Sequence, residues 1–183
     1  MDNSQGVTKR YRSARLNSKF AFQYGKIEIC AKLPSGLGTW PAIWKLGKNI
    51  NKNGAYWDNR GYGTTCWPAC GEIGIMEHFG YNQNYVQSAT HTSSSYGGTV
   101  NIGGQVIQTA SAEFHTYTLM WYPDRLVFSV DGNINYRYKT IELNNDKWPF
   151  NEEQYLLLNF AILPDIDPNF IADNLEVDYI RIY

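Results

Sequence analysis

Gly71-Glu72-Ile73-Gly74-Ile75-Met76-Glu77-His78 is an apolar run that carries two carboxylates five residues apart. Its length and isoleucine content predict a buried β-strand, a costly place for charge unless the charge is paired. Side chains alternate along a regular strand, so Glu72 and Glu77 would point to opposite faces. A single β-bulge at Ile75-Met76 absorbs one residue and returns both carboxylates, with Gly74 between them, to one face. Ile73 and one of Ile75 or Met76 then face the core. Two carboxylates placed in this way approach the roughly 5–5.5 Å separation that retaining glycoside hydrolysis requires. The alternative is a half-exposed strand with two solvated acids.

The stretches around this run have the same character. Lys26 to Leu33 alternates for most of its length before Pro34 and Gly36 end it. Arg125 to Val130 and Asn133 to Lys139 flank Asp131-Gly132, a hairpin signal; in the second arm Ile134, Tyr136 and Tyr138 alternate with polar residues and are expected in the core, as is Trp121. Tyr155 to Ile162 is apolar except for Asn159 and reads as a strand buried on both faces, and Leu175 to Tyr183 as a last strand. Gly47 to Gly63 and Ser93 to Gly104 read as long loops, which are commonly functional. No long amphipathic helix, repeat or linker interrupts the series, so the chain is expected to be all-β, one antiparallel sandwich over residues 1–183.

Composition narrows the partners. The 183 residues suffice for a real core, and 16 basic against 17 acidic residues leave a net charge of -1, which recommends neither nucleic acid nor an anionic membrane. Aromatics make up 15%, with six Trp and 14 Tyr; most must fill the core, but Trp and Tyr also suit a surface that stacks on sugar rings. Cys30, Cys66 and Cys70 are an odd set, of which Cys66 and Cys70 could close a small loop, and the scattered Cys and His show no zinc-ligand spacing. No apolar run is long enough to span a membrane, and Met1-Asp2-Asn3-Ser4-Gln5 does not read as a signal peptide.

Trp40-Pro41-Ala42-Ile43-Trp44, then Trp67-Pro68-Ala69-Cys70-Gly71-Glu72-Ile73, then Met76-Glu77-His78 together resemble glycoside hydrolase family sixteen, nearest to its bacterial laminarinase branch. Weaker matches run in family order from Ser13-Ala14-Arg15-Leu16 to Val177-Asp178-Tyr179-Ile180-Arg181. The resemblance implies a jelly-roll sandwich of concanavalin A-like type with a concave glycan cleft. It implies a retaining endo-β-glucanase, secreted or periplasmic, that cuts β-1,3- or mixed β-1,3/1,4-glucans such as laminarin and lichenan. Glu72 matches the nucleophile and Glu77 the general acid/base. Trp40, Trp44, Trp67, Arg15, His91 and Asn159 match substrate-binding positions, with Trp40 and Trp44 on the donor side and His91 near the leaving group. His115 matches a strand start and is expected to be structural. No cofactor is implied; Asp178 matches a carboxylate that often ligates a structural calcium, although the family's other ligands come largely from an amino-terminal region with no counterpart here.

Two departures qualify the resemblance. The family carries an Asp between the two glutamates where this chain has Gly74, which removes a carboxyl beside the nucleophile and loosens the strand. The usual amino-terminal strands are also missing, so an uncovered sheet edge and a homodimer through it are expected. The rival readings are a glucan-binding module with little catalysis, favoured by Gly74, and a galactan (agar or carrageenan) hydrolase of the same family.

Overall fold

The computed structural model describes residues 10–183, and Met1 to Gln5 lie outside that range. Eleven strands follow in chain order: β1 Arg15–Phe22, β2 Gly25–Lys32, β3 Thr39–Gly47, β4 Glu72–His78, β5 Tyr85–His91, β6 Ile102–Val106, β7 His115–Trp121, β8 Leu126–Val130, β9 Asn133–Tyr138, β10 Gln154–Ile162 and β11 Glu176–Ile182. They form a six-stranded sheet, β1-β10-β3-β4-β5-β6, and a five-stranded sheet, β11-β2-β7-β8-β9. Every named pairing is antiparallel. The two sheets pack as the expected sandwich. Among the described residues, no helix is long and apolar enough to cross a membrane.

Alternation builds the core. On β2, Ile27, Ile29 and Ala31 are buried; they meet Ile43 of β3, Ile73 of β4 and Leu119 and Trp121 of β7 in one apolar cluster. The hairpin forms where Asp131-Gly132 places it, with both residues at positive φ, 50° and 79°, as a two-residue turn of matching twist demands. The expectation for Ile134 is corrected. Phe128 pairs with Tyr136 but Ser129 pairs with Ile134, so Asn135 is an extra residue in β9 and Ile134 is 44% exposed. Tyr136 and Tyr138 do pack on the core.

Beyond Gly47 the chain returns over the concave face of the six-stranded sheet. Ile50 and Trp57 pack there on Leu46 of β3 and on Tyr155 and Leu157 of β10. This covering explains why the first half of β10 is buried on both faces, whereas Leu158 to Ile162 are only half-buried. The second expected loop is shorter than anticipated, because Ile102 to Gly104 belong to β6. One core residue has no sequence signal. Lys45 of β3 is fully buried without a hydrogen-bond partner, its ammonium 3.0 Å from the Phe22 ring centre and 4.6 Å from that of Trp121. Burial pulls its pKa well below the usual lysine range.

Among the described residues, β1 and β11 are the outer strands at one end of the sandwich. The outer strands β1 and β11 are exposed along most of their length. Between them lies a groove of about 400 Å³, lined in part by Leu16, Leu158, Phe160, Leu175 and Val177.

Candidate active site

The register of β4 contains the expected bulge. Gly74 pairs with Ala89 and Glu77 with Gln87, so Ile75 and Met76 together face the single residue Ser88; on the other side Trp44 pairs with Gly74 and Ile43 with Met76. Ile75 and Met76 are both buried in the intersheet core, not one of them as the alternation implies. The bulge is held from outside its own strand. Ser88 Oγ donates to the Ile75 carbonyl at 2.7 Å and accepts from Asn135 Nδ2 at 3.0 Å. The extra residue of β9, in the opposite sheet, thus steadies the extra residue of β4.

Glu72 and Glu77 consequently share the concave face. One oxygen from each and one ring nitrogen of His91 lie within 4.8 Å of one another, a spacing that matches the short separation of retaining hydrolysis rather than the roughly 6.5–9.5 Å of the inverting kind. Trp67 Nε1 donates to Glu72 Oε2 at 2.8 Å, and Gln87 Nε2 donates to Glu77 Oε2 at 2.9 Å. Burial pushes the Glu72 carboxyl up to about 7, against the Trp67 hydrogen bond, with the Glu77 charge raising it and Arg15 lowering it. Burial also raises Glu77, against the Gln87 hydrogen bond. His91 pairs with Glu72 across β4 and β5, with Nε2 3.6 Å from Oε1. Burial lowers its pKa, so at neutral pH the ring is uncharged and the contact is no ion pair.

The cleft extends to both sides of these carboxyls as two adjoining depressions, of about 350 and 510 Å³, which share Trp40, Glu72 and Glu77. On the β1-β10-β3 side, Arg15, Trp44 and Asn159 form one unit. Trp44 Nε1 donates to Asn159 Oδ1 at 2.7 Å, and the Arg15 guanidinium stands 4.9 Å from the Trp44 ring. The Asn159 amide nitrogen and the Arg15 guanidinium leave donors for hydroxyl groups. On the β5-β6 side, Trp67 and His91 line the depression together with Phe79 and Tyr81. Trp40 stacks on Phe79 at 5.0 Å, and Tyr96 meets Trp67 edge-on at 5.4 Å. Every substrate-binding residue expected from the sequence therefore lies in this cleft. Gln87, Phe79, Tyr81 and Tyr96 were not anticipated; only the strand register reveals Gln87, opposite Glu77.

A family model for glycosyl hydrolases family 16 matches residues 2–181. The chain belongs to that family. It is 36% identical over 190 residues to a β-glucanase of Rhodothermus marinus, covering 96% of this chain and 63% of that protein; it thus spans less than two thirds of that relative. Two solved family members superpose closely. LamA of Zobellia galactanivorans, a variant in complex with laminaritriose and laminaritetraose, is 43% identical with a TM-score of 0.85, covering 98% of this chain and 73% of that one. The laminarinase of Flavobacterium sp. UMI-01 is 35% identical with a TM-score of 0.81, covering 93% and 71%. The jelly-roll sandwich expected from the sequence is therefore the fold of this family 16 chain.

The remaining expectations for a family 16 site concern metal and thiols. Asp178 is exposed at the irregular step of β11, and among the described residues no grouping of three potential metal ligands includes it. The grouping that does occur is Glu72, Glu77 and His91, the carboxyl pair of the cleft with its neighbouring ring. Cys66 and Cys70 bracket a turn closed by the Cys70 N–H on the Cys66 carbonyl at 3.2 Å, but both are free thiols, as is Cys30. Cys70 is buried, which pushes its thiol up to about 12 and leaves it unreactive. His115 is structural as expected, with Nδ1 2.6 Å from Asp131 Oδ2 at the hairpin.

Proposed function

We propose that this chain is a retaining endo-β-glucanase acting on β-1,3- or mixed β-1,3/1,4-linked glucan. The observation that carries the reading is the pair of buried carboxyls on one face, close together, each with a single neutral donor, at the centre of an open aromatic-lined cleft. The printed activities of the relatives, β-glucanase and laminarinase, and the laminari-oligosaccharides bound by LamA support the substrate class.

Burial raises both carboxyls, and the match to family positions assigns the attack to Glu72 and the proton to Glu77. A sugar ring is held over Trp44 and hydrogen-bonded by Arg15 and Asn159, with its anomeric carbon above Glu72. Protonated Glu77 gives its proton to the glycosidic oxygen while ionised Glu72 attacks the anomeric carbon; the carbon–oxygen bond breaks and a glycosyl ester forms on Glu72. Glu77, now a carboxylate, takes a proton from water, which attacks the same carbon and releases Glu72. Two inversions return the original anomer. Steps through a metal or cofactor are not needed.

A polymeric glucan does not cross a bilayer, which supports a secreted or periplasmic setting, and the bare β1 and β11 edges support self-association. Reducing-sugar release from laminarin, lichenan and agarose, assayed side by side, tests the reading. Release from laminarin or lichenan but not from agarose is expected. Glucan binding without release would overturn the hydrolase, and release from agarose alone would overturn the substrate class.

A further inference from the structure

We propose that Gln87 is a positioning residue that favours one oxygen of Glu77 as the carrier of the catalytic proton. The inference rests on the reading of Glu77 as acid/base. Gln87 stands opposite Glu77 in the β4–β5 register, and its amide is the hydrogen-bond partner of the Glu77 carboxyl among the described residues. Gln87 Nε2 donates to Glu77 Oε2; the carbonyl oxygen of a carboxylic acid accepts an N–H better than its hydroxyl oxygen does, so this bond favours the acid proton on Oε1.

Oε1 is the Glu77 oxygen on the Gly74 side. A β-carbon placed on Gly74 would stand 3.4 Å from it. With Gly74 there is no third carboxyl at this place to exchange or share the proton. The two side chains that donate to the pair, Trp67 to Glu72 and Gln87 to Glu77, therefore supply the asymmetry between them. As the proton leaves Oε1 for the glycosidic oxygen, charge develops on the carboxylate and the Gln87 hydrogen bond becomes charge-assisted. In the second step the same oxygen takes the proton of water, so one orientation of Glu77 serves both. The titratable groups around Glu77 are Glu72 on its own strand and His91 on β5, with Arg15 on β1 across the cleft.

The test compares the parent chain with Gln87→Met, similar in length but without the donor, and Gln87→Glu, which keeps size and polarity. The readouts are the pH dependence of kcat/KM on laminari-oligosaccharides and the rate on a dinitrophenyl laminaribioside, whose leaving group needs little protonation. Gln87→Met is expected to lose about 10- to 100-fold on the oligosaccharide and much less on the activated substrate. Its alkaline limb should move to higher pH, because the donor that favours ionised Glu77 is gone; Gln87→Glu should move that limb further, because a second acid then shares the proton. Equal losses on both substrates, or an unmoved alkaline limb in both variants, would overturn the role. Should Gln87→Met fail to fold, the Gln87→Glu profile decides alone. A carbon NMR titration of the Glu77 carboxyl reads the same shift without turnover: a Glu77 that titrates identically in parent and variants overturns the inference even if the chain proves to be no hydrolase.

Discussion

Glu72 is where function works against stability. Its carboxyl is held at about 7 in the folded chain, chiefly by burial, whereas an unfolded glutamate titrates near the ordinary value of 4.5. The folded state thus binds this proton more tightly than the unfolded one. Stability is undiminished below about pH 4.5, falls as pH rises between the two pKa values and stays lowered above the folded one, by on the order of 3 kcal/mol. Glu72→Gln removes the charge but keeps an acceptor for the Trp67 indole. The variant should therefore be inactive, and its Tm should exceed that of the parent clearly at pH 8 and little at pH 4. Thermal unfolding at the two pH values checks this; a Tm difference independent of pH would contradict the ionisation assigned to Glu72. The same folded pKa places the acid limb of activity close to neutrality. Trp67 and Gln87 show what sequence reading reaches at this scale. Trp67 was placed in the cleft by the family resemblance, though its hydrogen bond to Glu72 was not foreseen, whereas Gln87 gains meaning only when the bulge slides the register and puts it opposite Glu77.

The bulged β4 is the element that makes the site, and its spacing was legible because period-two alternation leaves no other way to put Glu72 and Glu77 on one face. Its support was not legible. Ser88 bonds the bulge carbonyl and is itself bonded by Asn135 from the opposite sheet. The misreading of Ile134 has the same origin: the extra residue in β9 serves a cross-sheet contact, and no pattern within β9 announces it. Gly74 is the point at which this element can be altered cleanly. It does not hold a positive φ, and a β-carbon there would stand 3.2 Å from the Ala89 carbonyl oxygen, so β5 must yield by a few tenths of an ångström. Gly74→Asp should raise turnover more than it changes KM, because the added group acts on the reacting carboxyls rather than on sugar binding. It should also move the acid limb, since the new acid titrates with Glu72 as a pair. An ionised Asp pushes Glu72 upward, and a protonated one that donates to it pulls Glu72 down; the direction of the move reports which. A variant that folds yet matches the parent in both rate and pH profile would contradict this account of Gly74.

Over the whole molecule, the two sheets give the site its rigid floor and the chain crossing after Gly47 gives it a wall. Ile50 and Trp57 pack on β3 and β10 beside Trp44, so the Trp44 side of the cleft rests on a small core of its own. The sandwich was legible from strand patterning and from the ordered family resemblance. The buried Lys45 was not, since a lysine in an alternating strand gives no sign that it will lie between two aromatic rings. This scaffold holds Glu72 where, in the proposed reaction, it forms a glycosyl ester with β-glucan while Glu77 supplies the proton. The most direct test is to trap that ester. A laminaribiosyl fluoride that also carries fluorine on the ring carbon beside the anomeric centre should glycosylate the enzyme readily, losing fluoride, and be released slowly, and fragmentation mass spectrometry of the digested protein should place one adduct on Glu72. An active enzyme that forms no adduct, or forms it on Glu77 or elsewhere, would contradict the account.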